Sequence, residues 1–186
     1  EVEPEWHFPY FDEAMGAAVD EDYTDVDVLV LGRVTYDSFA GAWPDREAAG
    51  GEDAAFARRL GDLRKLVATR GTAALGWRNV DSTSDVVAAV RDLRTEPGVE
   101  KVLVAGSLSI VRQLLAAGEL DELRLLVHPV GVGSGLRVFD ESVGLRPLKL
   151  LRSDVFPTGV VRLIYAPAEL PNQATYEDVT GKVPSA

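Results

Sequence analysis

The chain has no cysteine, so it forms no disulfide bond, no thiolate metal site and no thiol nucleophile. It has only two histidines, which leaves carboxylates as the main ligands for a metal, and no metal site is predicted. Long apolar runs are also lacking, since no stretch approaches the roughly 20 residues of a membrane span. No signal-peptide pattern is visible. These absences favour a cytoplasmic protein without a membrane partner.

Positive charge is scarce in this chain. It has 19 Lys and Arg against 30 Asp and Glu, which gives a net charge of −11. Such a chain is unsuited to binding nucleic acid, whose phosphates require a basic surface, so an anionic ligand depends on a few local donors.

The overall composition is that of an ordinary globular protein. With 186 residues, of which 46% are hydrophobic and 26% charged, the chain is long enough to form one domain with a core.

The most informative segment is an apolar run followed by glycine. Residues 28–31 are branched and apolar, as is typical of a strand buried on both faces, and Gly32 allows the backbone to turn. The next residues predict a short helix over 34–40. Arg33 and Thr35 place a guanidinium and a hydroxyl at the start of that helix, where N–H groups and the positive dipole end favour an anion.

Two further segments repeat this chemistry. The first is a short apolar strand that leads through Gly106 into a helix start at Ser107 and Leu108. The second is a strand that ends in Thr69 and Arg70, a hydroxyl and a guanidinium that suit a terminal phosphate monoester. The alternative interpretation is an ordinary strand-to-helix connection in the first case and a solvated strand end in the second.

Strands and helices alternate along most of the chain, without internal repeats. This order predicts an α/β fold with three α-β-α layers around a mostly parallel central sheet. The pattern then changes to strands without helices, over residues 136–139, 148–156 and 160–165. The last two are separated by a tight-turn sequence and predict an antiparallel C-terminal hairpin. We expect a domain over residues 1–167 and a C-terminal arm or tail over 168–186.

Four motifs occur together in a defined order and spacing. They are Gly-Arg-Val-Thr at residues 32–35, Thr-Arg at 69–70, Ala-Gly-Ser-Leu at 105–108, and the stretch from residue 120 through Gly133-Ser134-Gly135. In this ordered set the chain resembles the dihydrofolate reductase-like family, and specifically its bacterial branch similar to the reductase domain of riboflavin biosynthesis. The resemblance covers about residues 8–166. It implies an NADPH-dependent reductase of a small heterocyclic or carbonyl substrate, such as a pterin or a pyrimidine.

The resemblance also implies a set of binding residues and a partner. In that family the glycine-containing helix starts bind the pyrophosphate of NADPH, and the strand end that corresponds to Thr69 and Arg70 meets the adenosine 2′-phosphate. The residues implied to bind the cofactor are Gly32, Arg33, Thr35, Thr69, Arg70, Gly106, Ser107 and Leu108. Related reductase domains form homodimers, so the apolar strand over residues 123–130 is a candidate for a homodimer interface.

One part of the family pattern is missing from this chain. The family normally opens with a strand near the middle of the sheet, whereas this sequence starts with an acidic, loop-like stretch over residues 1–9. A sheet without that strand leaves buried backbone groups unpaired, at about 1–3 kcal/mol for each group. We expect a segment to fill the gap. The first candidate is a segment ahead of residue 1, and the second is the C-terminal segment 174–179.

The sequence offers few side chains that could donate a proton to a substrate. Asp12 and Glu13 lie on a helix predicted over residues 9–20, which borders the substrate pocket in the resembling reductases, and they are the candidate catalytic acids. Their alternative position is the solvated face of that helix. His128 lies in an apolar strand, where a core or interface role is more common than a catalytic one. Because the acids are few, a non-redox ligand-binding or biosynthetic accessory protein on the same fold is the alternative function.

Overall fold

The computed structural model describes residues 6–71 and 74–170 of the protein. A 3-10 turn over Phe8–Tyr10 precedes the helices α1 (Glu13–Tyr23), α2 (Arg33–Ala49), α3 (Ala54–Asp62), α4 (Val86–Leu93) and α5 (Leu108–Ala117). The strands are β1 (Val28–Gly32), β2 (Arg64–Ala68), β3 (Val80–Thr83), β4 (Val102–Val104), β5 (Leu123–Val127), β6 (Leu148–Val155) and β7 (Val161–Pro167). Among the helices described, none has the length and apolar character needed to cross a bilayer.

Strands β1 to β4 form a parallel sheet in the order β3-β2-β1-β4. All five residues of β1 are buried, because their Val and Leu side chains meet helices on both faces of the sheet. Val90 of α4 and Leu114 of α5 pack on one face, and Tyr36 of α2 and Leu60 of α3 pack on the other. The predicted three-layer arrangement around a mostly parallel sheet is confirmed.

The last three strands form a separate antiparallel sheet in the order β5-β7-β6. The turn between β6 and β7 places Gly159 at a φ of 87°, which favours glycine, and its N–H donates to the carbonyl of Phe156 at 2.9 Å. The predicted antiparallel C-terminal hairpin is confirmed. The strand predicted over residues 136–139 is wrong. Its apolar residues suit a strand, but a strand forms only where a neighbour pairs its main chain, and no described strand does so here.

Helix α1 begins later than predicted, at Glu13 rather than near residue 9. The reason is Asp12, which has an extended backbone and acts as the N-cap, since its Oδ1 accepts a hydrogen bond from the N–H of Met15 at 2.8 Å. Met15 is buried and packs against Phe156 and Val160 of the second sheet region. Asp12 therefore precedes the helix on which the sequence pattern placed it.

Helix α2 is longer than the helix predicted over residues 34–40. It continues through Gly41 and Pro44 and ends at Ala49, although both residues are poor helix formers. Packing explains the difference, because the ring of Trp43 meets the ring of Phe56 from α3 edge to face, at a centroid distance of 5.2 Å. Tertiary contacts of this kind outweigh local propensity in most protein helices.

The two sheets do not join within the described residues. Strand β4 pairs only with β1, and β5 pairs only with β7. A groove of about 700 Å³ lies between β4 and β5. Residues 1–5 and 171–186 lie outside the described residues, and with them the segment 174–179 that the sequence offers as a filler of the sheet. The filler and the domain boundary after residue 167 stay predictions.

Candidate functional site

The register of the parallel sheet brings the three predicted segments to one edge. Strand β1 lies between β2 and β4, with Gly32 opposite Ala68, so that Thr69 follows on the neighbouring strand. On the other side, the N–H of Gly32 donates to the carbonyl of Gly106 at 2.9 Å. Parallel strands end on the same side of a sheet, where α/β proteins place their ligands. We call this side, with residues 32–35, 69–70 and 106–108, the carboxyl edge.

Helices α2 and α5 begin side by side at the carboxyl edge, and two glycines allow the approach. A Cβ atom on Gly32 would lie 2.6 Å from the Oγ of Ser107 and 3.1 Å from its main-chain nitrogen. Gly106 has a φ of 121°, and a Cβ atom on it would lie 3.3 Å from the Oγ1 of Thr35. Both glycines are therefore required by the contact between the two helix starts, whatever the ligand.

The first turns of α2 and α5 present main-chain N–H groups as hydrogen-bond donors at the carboxyl edge. In the described structure neither Gly32 nor Ser107, the two N-cap residues, makes a side-chain capping hydrogen bond. The Oγ of Ser107 instead lies 2.7 Å from the Oγ of Ser109. The N–H groups at a helix start have no partner within the helix, and the positive dipole end adds to their attraction for an anion. Two such helix starts together suit a pyrophosphate.

Arg33 is the first residue of α2 and is held by its own helix. Its Nε donates to both carboxylate oxygens of Asp37, one turn later, at 2.9 Å. This hydrogen bond raises the pKa of Arg33 above its ordinary value, so the guanidinium stays charged. The spacing of four residues was readable in the sequence, whereas the competition between Asp37 and an anionic ligand for this guanidinium was not predicted.

Thr69 and Arg70 differ in the contacts that they make with the rest of the protein. The N–H of Thr69 donates to the carbonyl of Thr83 at 2.8 Å, which extends the β2–β3 pairing by one residue. Its Oγ1 accepts from the N–H of Gly71 at 3.0 Å, which shapes the turn. Arg70 is exposed and has no hydrogen bond or ion pair with any residue that the structure describes. Its charge is therefore available to an external anion, unlike that of Arg33.

A buried contact holds the far end of the loop that carries Arg70. The N–H of Trp77 donates to the phenolic oxygen of Tyr36, on the first turn of α2, at 2.9 Å. Lys65 of β2 lies with its Nζ 4.4 Å from the centre of the Trp77 ring. The same Nζ donates to the main-chain carbonyls of Leu60, Gly61 and Leu63 at 2.6 to 2.8 Å. No sequence pattern indicated this arrangement, because its members are far apart in the chain.

The two predicted acids have different surroundings. One oxygen of Asp12 caps α1, and the other, Oδ2, is buried without a hydrogen-bond partner among the described residues. Glu13 is exposed at the start of α1, where its charge favours the helix dipole. Of these two acids, only Asp12 presents an unsatisfied carboxylate oxygen in a buried position, which is the property expected of a group that meets a polar ligand.

His128 follows β5 and lies in a cluster of aromatic rings. Its ring centre is 5.2 Å from that of Trp6, 6.0 Å from that of Tyr10 and 6.2 Å from that of His7. Its Nδ1 lies 3.2 Å from the carbonyl oxygen of Leu126, while its Nε2 is buried without a partner among the described residues. Over residues 6–71 and 74–170, no three His, Asp or Glu side chains are grouped as a metal site.

Comparison with known proteins finds one family for most of the chain. A model of the RibD C-terminal domain family matches residues 3–162. Among curated proteins, the uncharacterized protein YyaP of Bacillus subtilis is 25% identical over 140 residues, which cover 75% of this chain and 73% of YyaP.

Solved structures show the same fold. A putative riboflavin biosynthesis protein from Shewanella sp. PV-4 superposes with a TM-score of 0.61 at 17% identity, over 86% of this chain and 81% of that protein. A diaminohydroxyphosphoribosylaminopyrimidine deaminase/5-amino-6-(5-phosphoribosylamino)uracil reductase from Thermotoga maritima superposes with a TM-score of 0.55 at 17% identity. That match covers 84% of this chain and 50% of the Thermotoga protein. At such identities the likeness shows the fold alone.

Proposed function

The chain belongs to the RibD C-terminal domain family, and on that premise we propose that it is a cytoplasmic, NADPH-dependent reductase of a small heterocyclic or carbonyl compound of the pterin or pyrimidine kind. The observation that carries the proposal is that two uncapped helix starts meet at the carboxyl edge beside Arg70, which has no hydrogen bond or ion pair with any described residue. The Thermotoga protein, a 5-amino-6-(5-phosphoribosylamino)uracil reductase by name, supports the substrate class by analogy.

The donors at the carboxyl edge fit the anionic parts of NADPH. The first-turn N–H groups of α2 and α5, near Gly32 and Leu108, would hold the pyrophosphate, with Arg33 and Thr35 beside it. Arg70 and the hydroxyl of Thr69 would hold the 2′-phosphate, which NADH lacks. NADPH supplies a hydride when it is bound. The chain's own contribution is to fix the position of the cofactor in a protein whose net charge of −11 disfavours anions elsewhere.

Asp12 is the candidate carboxylate that would meet the substrate. We assign this role to Asp12 in preference to Glu13, because the Oδ2 of Asp12 is buried and unpartnered, whereas Glu13 is exposed. The bond from the N–H of Met15 to the Oδ1 of Asp12 supports the alternative function, a non-redox ligand-binding or biosynthetic accessory protein, because helix capping alone gives Asp12 a structural role.

A homodimer is part of the proposal. Val127 on β5 is 48% exposed and Val155 on β6 is 75% exposed, and both lie opposite Val161 of β7, on one face of the sheet. These side chains extend the apolar strand over residues 123–130 into a surface on the second sheet. Exposed apolar groups in one region are typical of protein–protein interfaces. Sedimentation equilibrium of the chain and of Val155→Lys tests this interface, since a dimer through it dissociates when a charge is introduced.

The test of the proposed function is a titration with NADPH and NADH, followed by tryptophan fluorescence. We expect Arg70→Ala to weaken NADPH binding by about tenfold or more, the effect of one charge-assisted contact, while NADH binding changes little. Arg33→Ala is expected to weaken both, because both cofactors carry the pyrophosphate. Arg64→Ala is the matched control, since Arg64 is an exposed arginine at the opposite end of the same strand.

Three outcomes are decisive. NADPH binding that depends on Arg70, followed by NADPH oxidation in the presence of a pyrimidine or pterin, establishes the reductase. Failure of the folded protein to bind either cofactor refutes the proposal. Cofactor binding that Arg64→Ala weakens as much as Arg70→Ala would show that overall charge, and not the carboxyl edge, controls the affinity.

A further inference from the structure

The loop between β2 and β3 carries Arg70, and its course depends on contacts at both of its ends. We call residues 69–79 the β2–β3 loop, of which 69–71 and 74–79 are described. Strands β2 and β3 pair in parallel, so the loop starts at the carboxyl edge and returns to the amino end of the sheet. It packs on the face of the sheet that α2 and α3 cover, since Leu75 and Trp77 belong to the same apolar cluster as Tyr36 and Leu60.

The near end of the β2–β3 loop is held through Thr69 and the main chain. The N–H of Thr69 donates to the carbonyl of Thr83 at 2.8 Å, and the N–H of Gly71 donates to the Oγ1 of Thr69 at 3.0 Å. Neither bond involves the guanidinium of Arg70, which makes no hydrogen bond or ion pair with a described residue. The position of this guanidinium therefore depends on the course of the rest of the loop.

The far end of the loop is fixed by a buried hydrogen bond to α2. The N–H of Trp77 donates to the phenolic oxygen of Tyr36 at 2.9 Å, and the two residues are 7% and 2% exposed. Such a bond is costly to break, because a buried N–H loses its partner without gaining water. The Nζ of Lys65, 4.4 Å from the centre of the Trp77 ring, adds a cation–π contact. These contacts give Trp77 one position relative to α2.

Tyr36 joins this end of the loop to the helix start at the carboxyl edge. It follows Thr35 directly, in the first turn of α2. The next residue of the loop, Arg78, is anchored elsewhere. Its guanidinium binds Glu47 at 2.8 Å, near the end of α2, and Asp62 at 2.9 Å, at the end of α3. Among the described hydrogen bonds of the loop, the one to Tyr36 is therefore the bond that reaches the start of α2.

We propose that Tyr36 is a positioning residue that sets the preference for NADPH over NADH, because it fixes the loop that carries Arg70 against the start of α2. The inference rests on the proposed function, in which the α2 start would hold the pyrophosphate and Arg70 the 2′-phosphate. One ribose separates these two groups in the cofactor, so the two sets of donors have to match a nearly constant spacing. The hydroxyl of Tyr36 acts through Trp77 and the loop, as a supporting contact that holds a binding group in place.

The first experiment measures the dissociation constants of NADPH and NADH for the wild type and for Tyr36→Phe. The variant removes the hydroxyl and keeps the ring. We expect the ratio of the NADH to the NADPH dissociation constant to fall about threefold or more, because NADPH alone uses Arg70. A loss of stability by itself weakens both cofactors equally and leaves the ratio unchanged. Val90→Ala, a buried change on the opposite face of the sheet, is the matched control and should keep the wild-type ratio.

A double-mutant cycle shows whether Tyr36 acts through Arg70. In the Arg70→Ala background, Tyr36→Phe is expected to leave the ratio unchanged, because the group that it positions is absent. A wild type that prefers NADPH and a Tyr36→Phe variant with the same ratio would overturn this inference and leave the proposed function intact. An undiminished effect of Tyr36→Phe in the Arg70→Ala background would do the same. Failure of the wild type to bind either cofactor refutes the proposed function, and this inference with it.

Amide hydrogen exchange of the wild type is a second measurement, which decides the question even where Tyr36→Phe does not fold. Coupling between two sites is reciprocal, so a phosphate held by Arg70 stabilises the bond between Trp77 and Tyr36. At saturation NADPH is therefore expected to slow exchange of the Trp77 N–H about threefold more than NADH does. Equal slowing by the two cofactors overturns the inference.

Discussion

Lys65 is expected to make the stability of this protein rise with pH in the alkaline range. Its side chain is fully buried in β2, between the end of α3 and the ring of Trp77. Burial, reinforced by the charge of Arg78 and opposed by that of Asp62, lowers the pKa of Lys65 to about 8. In the unfolded chain the pKa is about 10.5.

The sign and size follow from proton linkage. Between pH 8 and 10.5 the unfolded chain binds more protons at Lys65 than the folded protein does, so the free energy of unfolding rises with pH. The difference of about 2.5 pH units corresponds to about 3.4 kcal/mol, of which about 2 kcal/mol is gained between pH 7 and 9.5. The three carbonyl acceptors of Lys65 favour its charged form, so about 2 kcal/mol is an upper value.

The assay is urea unfolding of the wild type and of Lys65→Met at pH 7, 8, 9 and 9.5. The wild type is expected to gain up to about 2 kcal/mol relative to the variant across this range. Lys149→Met, which removes an exposed lysine from β6, is the matched control and should keep the wild-type slope. The range stops at pH 9.5 because burial raises the pKa of Tyr23 to about 12, which lowers stability as pH rises above 10. Equal slopes for wild type and Lys65→Met would refute the reasoning.

Four further substitutions test the carboxyl edge and the packing of α2. Gly32→Ala is expected to destabilise by about 1–3 kcal/mol in urea unfolding and to weaken NADPH binding, because its Cβ would lie 2.6 Å from the serine hydroxyl at the start of α5. Gly41→Ala, with no atom within 4 Å of the new Cβ, should stabilise by up to about 1 kcal/mol, and a loss there would contradict the packing argument. Asp37→Asn should tighten NADPH binding a few-fold at low salt, an effect that must shrink as salt is added. Tyr36→Phe leaves the N–H of Trp77 without its acceptor and should lower the free energy of unfolding by about 1–3 kcal/mol, so an unchanged urea midpoint would rule out this bond as a stabilising contact.

Local features of the fold were predictable because their signals lie within a few residues of one another. Residues 28–31 form a buried strand that ends at Gly32, and a helix follows at once. The hairpin formed by β6 and β7 also has its alternation and its turn in one short stretch. The bounds of α2 were not predictable, because its continuation through Pro44 depends on packing against α3.

Some features of the candidate site were likewise predictable from the sequence, and others were not. The residue types at 32–35, 69–70 and 106–108 could be identified from the sequence, but the helix-capping role of Asp12 and the pairing of Arg33 with Asp37 needed the structure. Lys65 shows the limit most clearly. A lysine in an apolar strand has no sequence signal for its partners, which are the end of one helix and a tryptophan from a later loop.

The sequence by itself determined the order of strands and helices, the glycine at each helix start and the kinds of donors available to an anion, since these depend on neighbouring residues. Only the tertiary structure decided that residue 28 pairs with residue 102, so that the α2 and α5 starts share one edge, and that no described strand pairs with the outer edge of β4 or of β5. Strand pairing is a long-range choice. It depends on which layers of apolar surface can be buried together, a property that no short stretch of sequence carries.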